Sequence, residues 1–265
     1  MKPFKYTCIL ALTVLMLSTG ITAAYAIGEF ALGLNAGATN DPNNLEDLSS
    51  RYNMAMVAYQ AIPGNETTGF TQITVPYSPV FGFNVRYQFN FFFFRIGSHY
   101  TTPMQTVKGS ITPPGGVKNT IKIETFQASF PATIGLLVPV SNRTQFFIGA
   151  GPTYHQASIT ISQSNPVQAG FQFNDPVIDP YGNLSANKRD RYSAAFVGYH
   201  LMIGAEIPVH EKFTLSVEWI HQEGRSHPVE NEGIDSSDAA TADPRRTLDA
   251  RGDFLIFGLN YYISF

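Results

Sequence analysis

Residues 254–265 read FLIFGLNYYISF, and from Phe257 every second side chain, through Leu259, Tyr261, Ile263 and Phe265, is large and apolar, while Gly258, Asn260 and Ser264 lie between them. Side chains of a β-strand point alternately to its two faces, so this pattern builds a strand with one face in an apolar medium. The same division recurs along the chain. Phe30, Leu32, Leu34 and Ala36 alternate with Ala31, Gly33, Asn35 and Gly37, and Phe81, Phe83, Val85 and Tyr87 alternate with Gly82, Asn84, Arg86 and Gln88. Phe92, Phe94 and Ile96 stand against Arg95, Gly97 and His99, and further sets begin at Phe126, Phe146, Val197 and Phe213. With the closing stretch this makes eight strands.

The connections alternate as well. Short turns fall near Asn90, at 139–144 and at 208–212, whereas long polar segments cover about 39–70, 101–120, 162–190 and 222–252. The pattern predicts an all-β fold, an eight-stranded antiparallel transmembrane β-barrel with short periplasmic turns and long extracellular loops. One stretch departs from it: Leu45, Leu48, Tyr52, Met56 and Tyr59 fall at helical spacing behind Asn43 or Asn44 as a cap, which predicts a short amphipathic helix in the first loop.

The start of the chain sets its compartment. Lys2 and Lys5 precede an apolar run at 9–17, and Ala24-Tyr25-Ala26 has the form of a secretory cleavage site, so residues 1–26 read as a signal peptide and 27–265 as the barrel domain. Cys8, the single cysteine, falls inside the signal, which leaves the mature chain without disulfide or cysteine–metal chemistry. No later apolar run is long enough for a spanning helix. The formal net charge of −3 and the lack of a basic face exclude nucleic acid as a partner.

Size decides which way the apolar face points. Eight strands enclose a lumen that side chains just fill, and the Phe-, Tyr-, Leu- and Ile-rich set would overfill it. The Gly-, Ser-, Thr- and Asn-rich set suits a crowded interior, so the apolar set faces lipid, with Tyr87, Trp219, Tyr261 and Phe265 near strand ends as interfacial aromatics.

The final strand resembles the C-terminal signature of bacterial outer-membrane proteins, and FFIGAGPTY and GAEIPVHEKFTLSVEW are similar to the Gly-rich strand and the strand-turn-strand of the small OmpA-, OmpX- and OmpW-like and opacity-type surface barrels. That resemblance implies residence in the bacterial outer membrane, lipid as the surrounding partner, and recognition of Tyr261, Ile263 and Phe265 by the barrel-assembly machinery.

Four charges fall on the inward face. Arg86 and Arg95 sit four or five residues above the short turns, across the barrel from Glu206 and Glu218, and buried charges in so narrow a space must pair. They are expected to form a salt-bridge plug in the periplasmic half, with a gate for protons or small solutes as the alternative. His99, His155 and His200 also point inward, at similar height; hydrogen bonding within a polar lumen is the plain reading and a metal site the sharper one. No pattern asks for a cofactor, and no strand face pairs a nucleophile with a base, so an enzyme, such as a lipid-modifying barrel, ranks last. The fourth loop is acidic, and Arg251-Gly252-Asp253 spells an integrin-type tripeptide, but it leads into a strand that would flatten it. The expected function is therefore structural or interaction-based, through loops that meet host or environmental ligands; an OmpW-like channel for small or apolar solutes is the alternative.

Overall fold

The computed structural model describes residues 28–40, 45–75, 77–101, 107–141, 144–164, 189–226, 230–231 and 248–263. The expected signal segment 1–26, Asn43, Asn44, Phe265 and most of the acidic fourth loop lie outside the described residues. Eight strands form the wall: β1 (Glu29–Thr39), β2 (Ser78–Phe89), β3 (Phe92–Thr101), β4 (Asn119–Ser141), β5 (Thr144–Gln163), β6 (Arg189–His210), β7 (Phe213–Glu223) and β8 (Gly252–Ile263). Each runs antiparallel to the next, and β8 pairs with β1, so the ring closes. Closure gives the backbone groups of every strand partners on both sides, which hydrocarbon cannot supply.

The period of two is visible in the burial of every strand. Leu34, opposite Leu259 on β8 and Phe83 on β2, is 69% exposed, while its neighbour Asn35 is buried in the lumen. Phe30 packs at a tilt against Tyr87, ring centroids 4.8 Å apart, and Phe213 against Tyr261 at 5.1 Å, near the turn end of the barrel. Tyr100, Phe130 and Tyr154 meet at 6.1 and 6.2 Å toward the other end. These outward clusters form two aromatic girdles around an apolar belt. The β2–β3 hairpin closes through Asn90 and Phe91, with Asn90 at φ 53°, a left-handed conformation that asparagine tolerates better than most residues.

Three strands outgrow the membrane. β4, β5 and β6 have 23, 20 and 22 residues, whereas about 9–11 suffice to cross. Their surplus lies at the end away from the short turns, and there the pattern inverts. Within the belt the apolar residues of β5, such as Phe146, Ile148 and Tyr154, point outward; above it Ala157, Ile159 and Ile161 are apolar and buried on the inner face. The same change of phase separates Phe126 from Ile123 on β4 and Val197 from Tyr192 on β6. Water, rather than lipid, is the outer medium there.

The inner faces above the belt hold a second core. The helix α1 (Leu45–Gln60) buries Leu45, Leu48, Tyr52 and Met56 in one cluster with Ile121, Ile123, Ile159 and Ile161. Val107 and Ile111, from a short strand that pairs with β4, complete it along with Ile73. The Asn53 amide clamps the Ile73 backbone, donating to its carbonyl at 2.8 Å and accepting from its N–H at 2.7 Å. Glu46 and Asp47 in the first turn oppose the helix dipole, and Asp47 pairs with Arg51 at 2.9 Å. The helix and the strand extensions make a folded extracellular head on the inner side of the wall. Residues 107–112 and 119–120, which the sequence pattern assigns to a long loop, are thus in strands.

The two media predict opposite outcomes for one substitution. Leu34→Arg on the belt should cost about 2–4 kcal/mol of folding stability, whereas Met54→Arg, on the exposed side of α1, should change it by less than about 0.5 kcal/mol. Denaturant titration of the barrel refolded in vesicles measures both.

Candidate functional site

The lumen gathers the polar residues that the wall cannot show to lipid. Arg86 and Arg95 are directly opposite one another on β2 and β3, so two like charges project into the lumen side by side. Each is met from across the barrel. Arg86 Nη2 lies 2.6 Å from Glu206 Oε2, and Arg95 Nη1 lies 2.6 Å from Glu218 Oε2. All four side chains are buried.

Glu206 is the hub of this network. It accepts from Arg86, from the Thr214 hydroxyl, from Gln145 Nε2 at 3.0 Å, from Asn260 Nδ2 at 3.2 Å and from the Tyr262 hydroxyl at 2.9 Å. The Arg86 guanidinium also donates to the Tyr262 oxygen and lies over the Tyr262 and Phe147 rings, at 5.7 and 5.9 Å from their centroids. Glu218 is served more sparsely, by Arg95 and by the Ser216 hydroxyl at 3.1 Å. A carboxylate so enclosed stays favourable as an ion only while its partners remain in place.

Apolar groups fill the space beside the charges. Phe93 and Phe147 meet edge to face at 6.1 Å, with Leu137 and Met202 in the same cluster. Small residues make room for them. A Cβ on Gly135 would lie 2.3 Å from the Phe93 ring, and one on Gly204 would lie 2.4 Å from the Phe147 ring. Val80, Ile220, Phe254 and Ile256 belong to the same buried cluster, so the lumen is less polar than the sequence pattern alone implies. The run FFFFR carried the signal: with Phe92 and Phe94 outward, alternation turns Phe93 inward beside Arg95. Tyr262 and Gln145, which sequence reasoning passed over, likewise sit at the inward phase of their strands, as do Thr214 and Asn260 from the polar sets.

The three histidines are handled separately by the fold. His200 has both ring nitrogens 2.8 Å from threonine hydroxyls, Nε2 from Thr133 and Nδ1 from Thr153, so one accepts and the other donates. His155 Nδ1 meets the Ser129 hydroxyl at 2.9 Å, and His99 stacks on Phe254 at 6.4 Å. The structure does not converge them on one point, and among the described residues no group of three or more His, Cys, Asp or Glu side chains is arranged to hold a metal ion. Asp253 of the Arg-Gly-Asp tripeptide is paired in β8 opposite His221 and sits 2.9 Å from its Nδ1. His227 and most of the acidic fourth loop lie outside the described residues.

A closed antiparallel ring with a lipid-facing belt and a filled, charged interior defines a small transmembrane barrel of the bacterial outer-membrane class. The model of the outer membrane protein beta-barrel domain family matches residues 9–242, and the chain belongs to that family. No curated protein matches the sequence. Among solved structures the chain is similar to the Neisserial surface protein A, at 10% identity and TM-score 0.41, over 88% of this chain and 96% of that one. It is also similar to Ail, the attachment invasion locus protein of Yersinia pestis, in complex with the heparin analogue sucrose octasulfate, at 10% identity and TM-score 0.40, over 89% and 99%. A third is the outer membrane protein OprG from Pseudomonas aeruginosa, at 11% identity and TM-score 0.43, over 90% and 97%.

Breaking one bridge should cost more than removing it whole. Glu218→Gln leaves Arg95 buried without its counter-ion and should lower stability by about 3–5 kcal/mol, while the double change Arg95→Met with Glu218→Met should recover most of that loss. Urea unfolding of the refolded barrel, compared across the three proteins, reads the difference.

Proposed function

We propose that this chain is a surface barrel of the outer membrane whose lumen is plugged, and whose work is done by the extracellular head rather than by transport. The observation that carries this reading is the double bridge: Arg86 to Glu206 and Arg95 to Glu218 cross the lumen with each side chain no more than 3% exposed. Phe93 and Phe147 fill space beside them, and the helix α1 closes over the inner faces of β4–β6 above. A wall this full leaves the head and the loops as the parts free to meet a partner, which suits envelope integrity or adhesion to a host or environmental ligand. The reading is non-enzymatic and assigns no cofactor. It also takes residues 1–26 to be removed on export and Tyr261, Ile263 and Phe265 to be read by the barrel-assembly machinery.

One observation favours a second reading. The buried lumen cluster includes Val80, Ile220, Phe254 and Ile256, an apolar lining that would suit a channel for small or apolar solutes better than one for ions.

Planar-bilayer recording separates the two. The refolded barrel should give no steady current, and Glu206→Gln with Glu218→Gln should either admit one or lower the unfolding midpoint. Steady conductance from the unaltered protein would favour the channel, and a double variant unchanged in both respects would remove the plug from the argument.

A further inference from the structure

Above the plug the lumen changes character. On β3 the inward residue two steps above Arg95 is His99, and on β7 the one two steps above Glu218 is Gln222. Register brings in the other two imidazoles. His200 on β6 stands opposite Gln222, and Ser129 on β4 stands opposite both His99 on β3 and His155 on β5. Three histidines and a glutamine therefore ring one stretch of the barrel, between the salt bridges below and the apolar core of the head above.

That stretch is short of hydrogen-bond partners. Neither ring nitrogen of His99, neither amide atom of Gln222, nor His155 Nε2 nor Arg95 Nη2 is hydrogen-bonded among the described residues, and each of these side chains is at most 2% exposed. Buried polar atoms are seldom left so, and internal water is the partner they ordinarily find. Carboxylates are scarce as well. Among the described residues, the other charged or titratable groups that face this space from the wall are Arg86 on β2, Arg95 on β3, Glu206 on β6, Glu218 on β7 and Tyr262 on β8, all within the plug. β4 brings none, and β1 only Glu29 at the turn end, which accepts from Gln88 at 3.0 Å. Toward the head come Tyr192 on β6, Tyr52 on α1 and Asp249, the last already met by Arg225 at 3.3 Å.

The seats of the histidines take up a proton without rebuilding. The threonine hydroxyls on His200 and the Ser129 hydroxyl on His155 can each turn to accept from an imidazolium. The missing element is counter-charge. His99 and His200 lie within electrostatic reach of the Arg95 guanidinium, and His155 within reach of His200. Glu218 is the weaker half of the plug, held by Arg95 and Ser216 where Glu206 has a full set of donors.

We propose that this hydrated tier is an acid sensor that unlocks the lumen: protons from the extracellular side charge His99, His155 and His200, the imidazoliums drive Arg95 from Glu218, and the barrel conducts. The inference rests on the plugged reading above and adds the condition under which the plug yields. Its sign follows from where the new charge is better solvated. A wet, open lumen hydrates an imidazolium and a closed one offers it no carboxylate, so opening gains as pH falls through the ordinary histidine range and is lost on return to neutral. At about pH 4.5, roughly two units below that range, each histidine favours the open state by up to about 100-fold and the three by up to about a millionfold. About 10⁴-fold is enough to turn a 1:99 equilibrium into 99:1.

Planar-bilayer recording of the full refolded chain, with both chambers stepped from about pH 7.5 to about pH 4.5, tests the assignment. The unaltered barrel should be silent at the first and conduct at the second, reversibly and with its β-sheet circular dichroism intact. His99→Gln, His155→Gln and His200→Gln together should stay silent at both, and His221→Gln, on the outer rim, should behave as the unaltered chain. Should the triple variant not refold, His200→Gln alone carries the test and should lower the midpoint of opening by about half a pH unit. Acid opening that survives the histidine changes, or acid that unfolds the barrel instead of opening it, overturns the proposal. Silence of the unaltered chain at both pH values overturns it too, and the Glu206→Gln, Glu218→Gln barrel recorded alongside shows whether the plug falls with it. A steady current already at pH 7.5 overturns both.

Discussion

Hydrocarbon offers no hydrogen-bond partner, and the rest of this structure follows from that. Every backbone group in the belt has to find its partner in the next strand, so the sheet closes on itself, β8 against β1. A closed ring of eight has a wall with one face in lipid and one face hidden, and a charged residue carried by a strand within the belt must go to the hidden face. Arg86, Arg95, Glu206 and Glu218 meet because no other place in the belt is open to them.

Crowding then sets the character of the interior. Two arginines side by side repel, and their approach is tolerable because each reaches a carboxylate on the far wall and because Thr214, Gln145, Asn260 and Tyr262 occupy the other positions around Glu206. Phe93 and Phe147 take the space that water would need to screen the charges. The network is therefore a matter of joint occupancy: remove one member and its neighbours face an unmet charge without solvent to soften it.

Much of this could be read in the chain before any coordinates. The alternation carried all eight strands and the inward phase of the four charges, and the helical spacing from Leu45 to Tyr59 carried the helix found at Leu45–Gln60. What escaped was of two kinds. Tyr262 and Phe93 escaped because a large residue between two large outward ones looks like belt, although alternation turns it inward. The head escaped because above the membrane the rule changes sign: Ile121 and Ile123, like Ile159 and Ile161, are apolar at the phase that is polar lower down, and a reading tuned to a lipid-facing pattern leaves them out of its strands.

The length of β4, β5 and β6 has a mechanical meaning. Because the head is built from the same unbroken strands that cross the bilayer, it has no tether on which to swing, and a load applied to it passes straight into the barrel wall through continuous ladders of backbone hydrogen bonds. The head is thereby held at a fixed distance and angle from the bilayer, as by a post set in the membrane.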